Sequence, residues 1–77
     1  MKSDIVIGAI YVLQEEINNI PKNMFPSMVL VETILTNNTV SVLDLDKNIR
    51  EFISISHFNA FYTMDIVETF KYLEKNA

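Results

Sequence analysis

The fold turns on residues 4–21, DIVIGAIYVLQEEINNIP, which read in two ways. Val6, Ile10, Leu13, Ile17 and Ile20 follow a 4-3-4-3 spacing, the single apolar stripe of an amphipathic helix. Ser3 is a good N-cap, Asp4 complements the helix dipole and Pro21 forbids continuation, so the spacing predicts a helix from about Asp4 to Asn19. A strand is the competing reading. Ile5-Val6-Ile7 and Val12 are β-branched, and Gly8 costs a helix interior about 1 kcal/mol. The helix is preferred because the stripe runs on into the polar half of the segment.

Downstream the signals are plainer. Met28–Leu35 and Val40–Asp46 are β-rich runs separated by Thr36-Asn37-Asn38-Thr39, and paired Asn tolerates the positive φ of a tight hairpin. With Leu35 opposite Val40, one face carries Val29, Val31, Leu35, Val40 and Val42; the pattern slips after Val42, so either both faces are partly covered or a bulge near Val42–Leu43 resets the phase. After a turn at Asp46-Lys47-Asn48, Ile53 and Ile55 alternate with Ser54 and Ser56 in a third strand, about Ile49 to His57. An aromatic segment follows, then a final helix of about Met64 to Lys75. Thr63 is its cap, Tyr62 and Val67 form a hydrophobic staple, and Ile66, Val67, Phe70 and Leu73 make its apolar face. The expected fold class is α+β in the order α-β-β-β-α: a three-stranded antiparallel meander with two helices on one face, one domain over residues 1–77.

Composition narrows the chemistry. Of 77 residues 49% are hydrophobic and 21% charged, too apolar for disorder and too short for two ordinary domains. The absence of cysteine removes disulfides, thiolate nucleophiles and cysteine-held zinc, and fits a reducing cytoplasm. One glycine leaves no phosphate-cradling loop. The net charge of −4, with the six basic residues dispersed, opposes nucleic acid. The nine-residue apolar run Ile5–Leu13 is less than half of the ~20 residues that span a bilayer. Heavy use of Ile and Asn is typical of AT-rich coding, as in low-GC bacteria and their phages.

No catalytic or metal constellation emerges, and no cofactor is called for. His57 is the one imidazole, and Ser54 and Ser56, read as its neighbours on one strand, do not converge on it. Asp44-Leu45-Asp46-Lys47-Asn48 begins like a calcium loop, but Ile49 and Ile55 stand where Gly and Glu are required. No motif ties the chain to a known family.

Three sets of residues remain as candidates. The first half of the expected helix is apolar all round, so Ile5, Ile7, Gly8, Ala9, Tyr11 and Val12 form a second apolar face. That face calls for a second contact: a second copy packed antiparallel across a two-fold axis, one other protein, or the final helix and the Met24–Phe25 loop of the chain itself. The aromatic residues Phe58, Phe61, Tyr62 and Phe70 either belong to the core or line a small apolar pocket. Glu15, Glu16, Asp44 and Asp46 are dispersed acidic contacts of the kind an inhibitor of a nucleic-acid enzyme presents. The leading expectation is a non-enzymatic, cytoplasmic interaction or regulatory module of bacterial or phage origin, homodimeric, acting through the first helix or a sheet edge. A small-ligand-binding protein and a phage-type acidic inhibitor are the alternatives.

Overall fold

The computed structural model describes residues 5–14, 25–36 and 38–76. They form a five-stranded antiparallel sheet and two helices, in the order β1 (Ile10–Leu13), β2 (Met28–Leu35), β3 (Thr39–Asp44), β4 (Ile49–Ser54), α1 (Ile55–Phe61), β5 (Tyr62–Met64) and α2 (Ile66–Lys75). The strand order is β4-β3-β2-β1-β5, with every neighbour antiparallel. The expected three-strand meander is therefore the β2-β3-β4 part of a larger sheet.

The first segment is the main correction. Ile10–Leu13 is a strand lying between β2 and β5, with Tyr11 opposite both Val29 and Met64. Gly8 has φ +90°, outside any helix, and its N–H donates to Val31 O at 2.8 Å while Val31 N–H returns a bond to Ala9 O. From Gly8 onward the backbone thus spends its bonds mainly on neighbouring strands, while Val6 N–H donates to the Tyr11 hydroxyl at 3.0 Å. The remainder of the expected helix, Ser3 and Asp4 at its start and Glu15 to Asn19 at its end, lies outside the described residues.

The hairpin forms as expected, with Asn38 at φ 61° in its turn. Its bulge sits on β2 instead of β3. Val31 pairs with Val42 and Thr33 with Ser41, so Glu32 is the extra residue. The slip carries Ile34 opposite Val40 and turns Leu35 to the other face, where it is exposed. The expected third strand also ends early. Ser54 becomes the N-cap of α1, accepting from His57 N–H, and the alternation of Ile53/Ile55 with Ser54/Ser56 runs straight into a helix.

The core lies between the sheet and α1. Val29, Val31, Val40 and Val42 are fully buried there with Ala9, Tyr11, Ile53, Phe58 and Tyr62. Phe58 stacks on Tyr62 at 5.0 Å between centroids and meets Tyr11 at 4.7 Å. Each fully buried side chain of this size contributes about 1.5–3 kcal/mol, and aromatic pairs add about 0.5–1.5 kcal/mol.

The second helix lies on the other face, beside Ile10 and Met28, so the two helices do not share one face. Its cap is Asp65, whose carboxylate accepts from Glu68 N–H at 3.0 Å, and not Thr63, which belongs to β5. The expected staple is absent, because Tyr62 is buried under the sheet and Val67 faces solvent. Among the described residues no helix is long and apolar enough to cross a membrane.

Candidate interaction surface

α2 contains the largest departure from ordinary packing. Its apolar residues recur at helical spacing, Ile66, Val67, Phe70 and Leu73, and such a stripe normally faces a core. Here it faces water: Ile66 is 61% exposed, Val67 62%, Phe70 63% and Leu73 50%. No residue of the helix is buried.

The reason is the way the helix is held. Thr69 Oγ1 accepts from Ile10 N–H at 2.9 Å and donates to Asp65 O at 2.7 Å. Asp65 N–H in turn donates to Ile10 O at 2.9 Å. Tyr72, Glu68, Lys71 and Lys75 border a cleft of about 320 Å³ against Ile10, Met28 and Leu45. α2 is thus anchored by its polar side, which fixes the opposite, apolar side outward. An isolated exposed Leu is unremarkable in a soluble protein, but four large side chains on one helical ridge form a contiguous patch.

The candidates read from the sequence are scattered by the fold. Of the first apolar set, Ala9 and Tyr11 are buried in the chain's own core, Val12 is half-buried, and Ile7 and Gly8 are exposed ahead of β1. Ile5 packs against the core. The helical face that was to join them does not exist across Ile10–Leu13. The aromatic set divides as well. Phe58 and Tyr62 are core, Phe61 lies against Phe25 at 5.7 Å and His57 at 5.5 Å, and Phe70 stands on α2. Neither of the two cavities found among the described residues gathers the four.

In the acidic set, Glu15 and Glu16 lie outside the described residues. Asp44 is buried, and its Oδ1 accepts from the N–H groups of Asp46 at 2.9 Å and Lys47 at 3.2 Å, closing the β3–β4 turn. Asp46 alone of the two faces solvent. A cavity of about 470 Å³ runs past Asp44, Asp46, Glu51 and Lys47 between the rings of Phe25 and Phe52. Tyr62 sits near its carboxylates. Burial, with Asp44 and Glu51 adding to it, pushes that phenol far above the ordinary tyrosine range, so it stays neutral and donates to Pro26 O at 2.6 Å.

Ser54 and His57 do converge, contrary to the same-strand reading: Ser54 Oγ is 2.9 Å from His57 Nδ1, because the chain turns into α1 between them. That hydroxyl also caps the helix by accepting His57 N–H at 3.3 Å. His57 Nδ1 and N–H both meet Ser54 Oγ, and among the described residues no carboxylate orients the ring as in a hydrolytic triad. No group of three or more metal-ligating side chains occurs among the described residues.

Fold and surface define an antiparallel α+β protein with one outward-facing amphipathic helix. No family model, curated protein or solved structure matches the chain.

Proposed function

We propose that this chain is a small cytoplasmic protein-interaction module that binds rather than catalyses, and that its docking element is the outward face of α2. The observation that carries this reading is the exposure of Ile66, Val67, Phe70 and Leu73 on one ridge. Together they offer on the order of 400 Å² of apolar surface, the size of patch that commonly marks an interaction site. Covering it yields on the order of 10 kcal/mol before the cost of association, which takes back a large part. The first-helix surface expected from the sequence has no place in this proposal, since β1 is a strand.

Capture from source-cell lysate on two baits, the wild-type chain and Phe70→Glu, tests it. The expected result is a stoichiometric protein, an untagged second copy included, that the wild type retains and the variant loses. Retention of nothing, or of the same proteins by both baits, rejects α2 as the docking element.

A further inference from the structure

We propose that the cavity of about 470 Å³ beside the β3–β4 turn binds an aliphatic polyamine, with its ammonium groups on Asp44, Asp46 and Glu51 and its methylenes between the rings of Phe25 and Phe52. The described residues that line it include none of α2, so this site is independent of the docking helix. Asp44 carries the argument. It is 2% exposed, yet it lines the cavity. Its Oδ1 accepts from the N–H groups of Asp46 and Lys47, and among the described residues Oδ2 has no donor. No buried side-chain oxygen or nitrogen among the described residues is sealed off without a partner, so Oδ2 meets the space of the cavity. A carboxylate oxygen held out of bulk water without a proton donor lacks what an ammonium group supplies.

The surroundings add negative charge without cancelling it. Asp46 and Glu51 border the same space, against the single ammonium of Lys47. Among the described residues none of these four groups takes part in an ion pair. Burial, then Asp44 and Glu51, raise the Tyr62 phenol, so the field of those two carboxylates is felt beneath the sheet as well.

Two features favour an elongated organic cation over a metal ion. The carboxylates do not converge on one point, since no group of three or more metal-ligating side chains occurs among the described residues. The walls, moreover, are phenyl rings. Phe25 is braced by Phe61 at 5.7 Å, and Phe52, on the edge strand β4, is 64% exposed. Ring faces attract ammonium groups and pack against methylenes, but they offer no oxygen to a hard divalent cation. Ammonium groups spaced along an alkyl chain meet both the separated carboxylates and the rings.

Spermidine titrated into the isotope-labelled full chain at pH 7 and low salt, followed by backbone amide shifts, tests this. Saturating shifts are expected at Asp46, Lys47, Glu51 and Phe52, with one dissociation constant on the order of 100 µM. Asp46→Asn combined with Glu51→Gln is expected to weaken binding about tenfold, and Phe52→Leu about threefold. Glu74→Gln removes the same charge from α2 and is expected to leave the constant within about twofold. Should Glu51→Gln disturb the sheet, Asp46→Asn alone keeps the backbone bond to Asp44 and is expected to weaken binding about threefold. Shifts that do not saturate, or an equal loss in Glu74→Gln, mean only loose counter-ions on an acidic chain and overturn the proposal. Magnesium producing the same shifts with equal or greater affinity overturns it in favour of a metal ion. A lysine dipeptide that binds more tightly than spermidine overturns it in favour of a basic protein segment.

Discussion

Ile10 N–H donates to Thr69 Oγ1 at 2.9 Å, a bond spanning 59 positions of the chain that fixes α2 against β1. The donor is buried, and the same hydroxyl gives its proton to Asp65 O at 2.7 Å. Thr69→Val keeps the shape and removes the acceptor, leaving a buried N–H with no partner. A loss of about 1–3 kcal/mol is expected in urea unfolding, with faster amide exchange at Ile10. Thr69→Ser retains the acceptor and is expected to lose less than about 1 kcal/mol. A loss in Thr69→Ser that Thr69→Val does not show would mean that the threonine methyl, and not the hydroxyl, holds the helix.

That tether also explains what the sequence could and could not disclose. Periodicity located the apolar face of α2 correctly, but a period names a face and not what lies against it. The side that packs on the sheet is chosen by Thr69 and Tyr72, whose partners on β1 and β2 are far away in sequence. The β2–β3 hairpin was legible because its cause is local, two Asn between β-branched runs. Val29, Val31, Val40 and Val42 were legible as core for the same reason. Leu35 was not, since the slip at Glu32 leaves no mark in an alternation pattern. β5 is three residues long and exists only by pairing with β1, so no window along the chain reveals it. At β1 the spacing of Val6, Ile10 and Leu13 matched a helix by coincidence. Gly8, and the β-branched Ile10 and Val12 within β1, carried the better signal.

Gly8 stands at φ +90°, and a Cβ built there meets nothing within 4 Å. The cost of Gly8→Ala is therefore conformational alone, without a clash. A destabilisation of about 1–3 kcal/mol is expected, read as a lowered urea midpoint with unchanged slope. A neutral result would show that residues 5–9 relax into another path without disturbing β1.

Glu32, the bulge residue of β2, reaches across β3 to Arg50 Nε at 2.7 Å and takes a longer bond of 3.5 Å from Ser41 Oγ. The guanidinium holds the Glu32 carboxyl below the ordinary glutamate range. A carboxyl lowered on folding stabilises above its unfolded-state value, and that contribution disappears as the pH falls through the lowered one. Arg50→Gln is thus expected to reduce stability slightly at pH 7 and to flatten its fall below about pH 4.5. Urea midpoints at neutral and acid pH check this. The pair is exposed, so salt is expected to shrink the difference between wild type and variant. An undiminished difference at high salt would count against an ionic origin.

Tyr62 gives the opposite pH signature. Its phenol is raised by burial and by Asp44 and Glu51, so it stays protonated in the folded chain while an unfolded tyrosine ionises near pH 10. Above about pH 10 the unfolded state binds fewer protons than the folded one, and stability falls by up to about 1.4 kcal/mol per pH unit. The contribution is whole below that pH and is lost as pH rises. Tyr62→Phe removes this slope, but it also removes the 2.6 Å bond to Pro26 O. The variant is therefore expected to be less stable by about 1–3 kcal/mol at pH 7. The gap should narrow above about pH 10 and close within one or two further units. Whatever is common to the two proteins cancels in the difference. Urea unfolding of wild type and variant from neutral to alkaline pH measures it directly. A constant gap would show that the phenol ionises equally in both states, and so that water reaches it beneath the sheet.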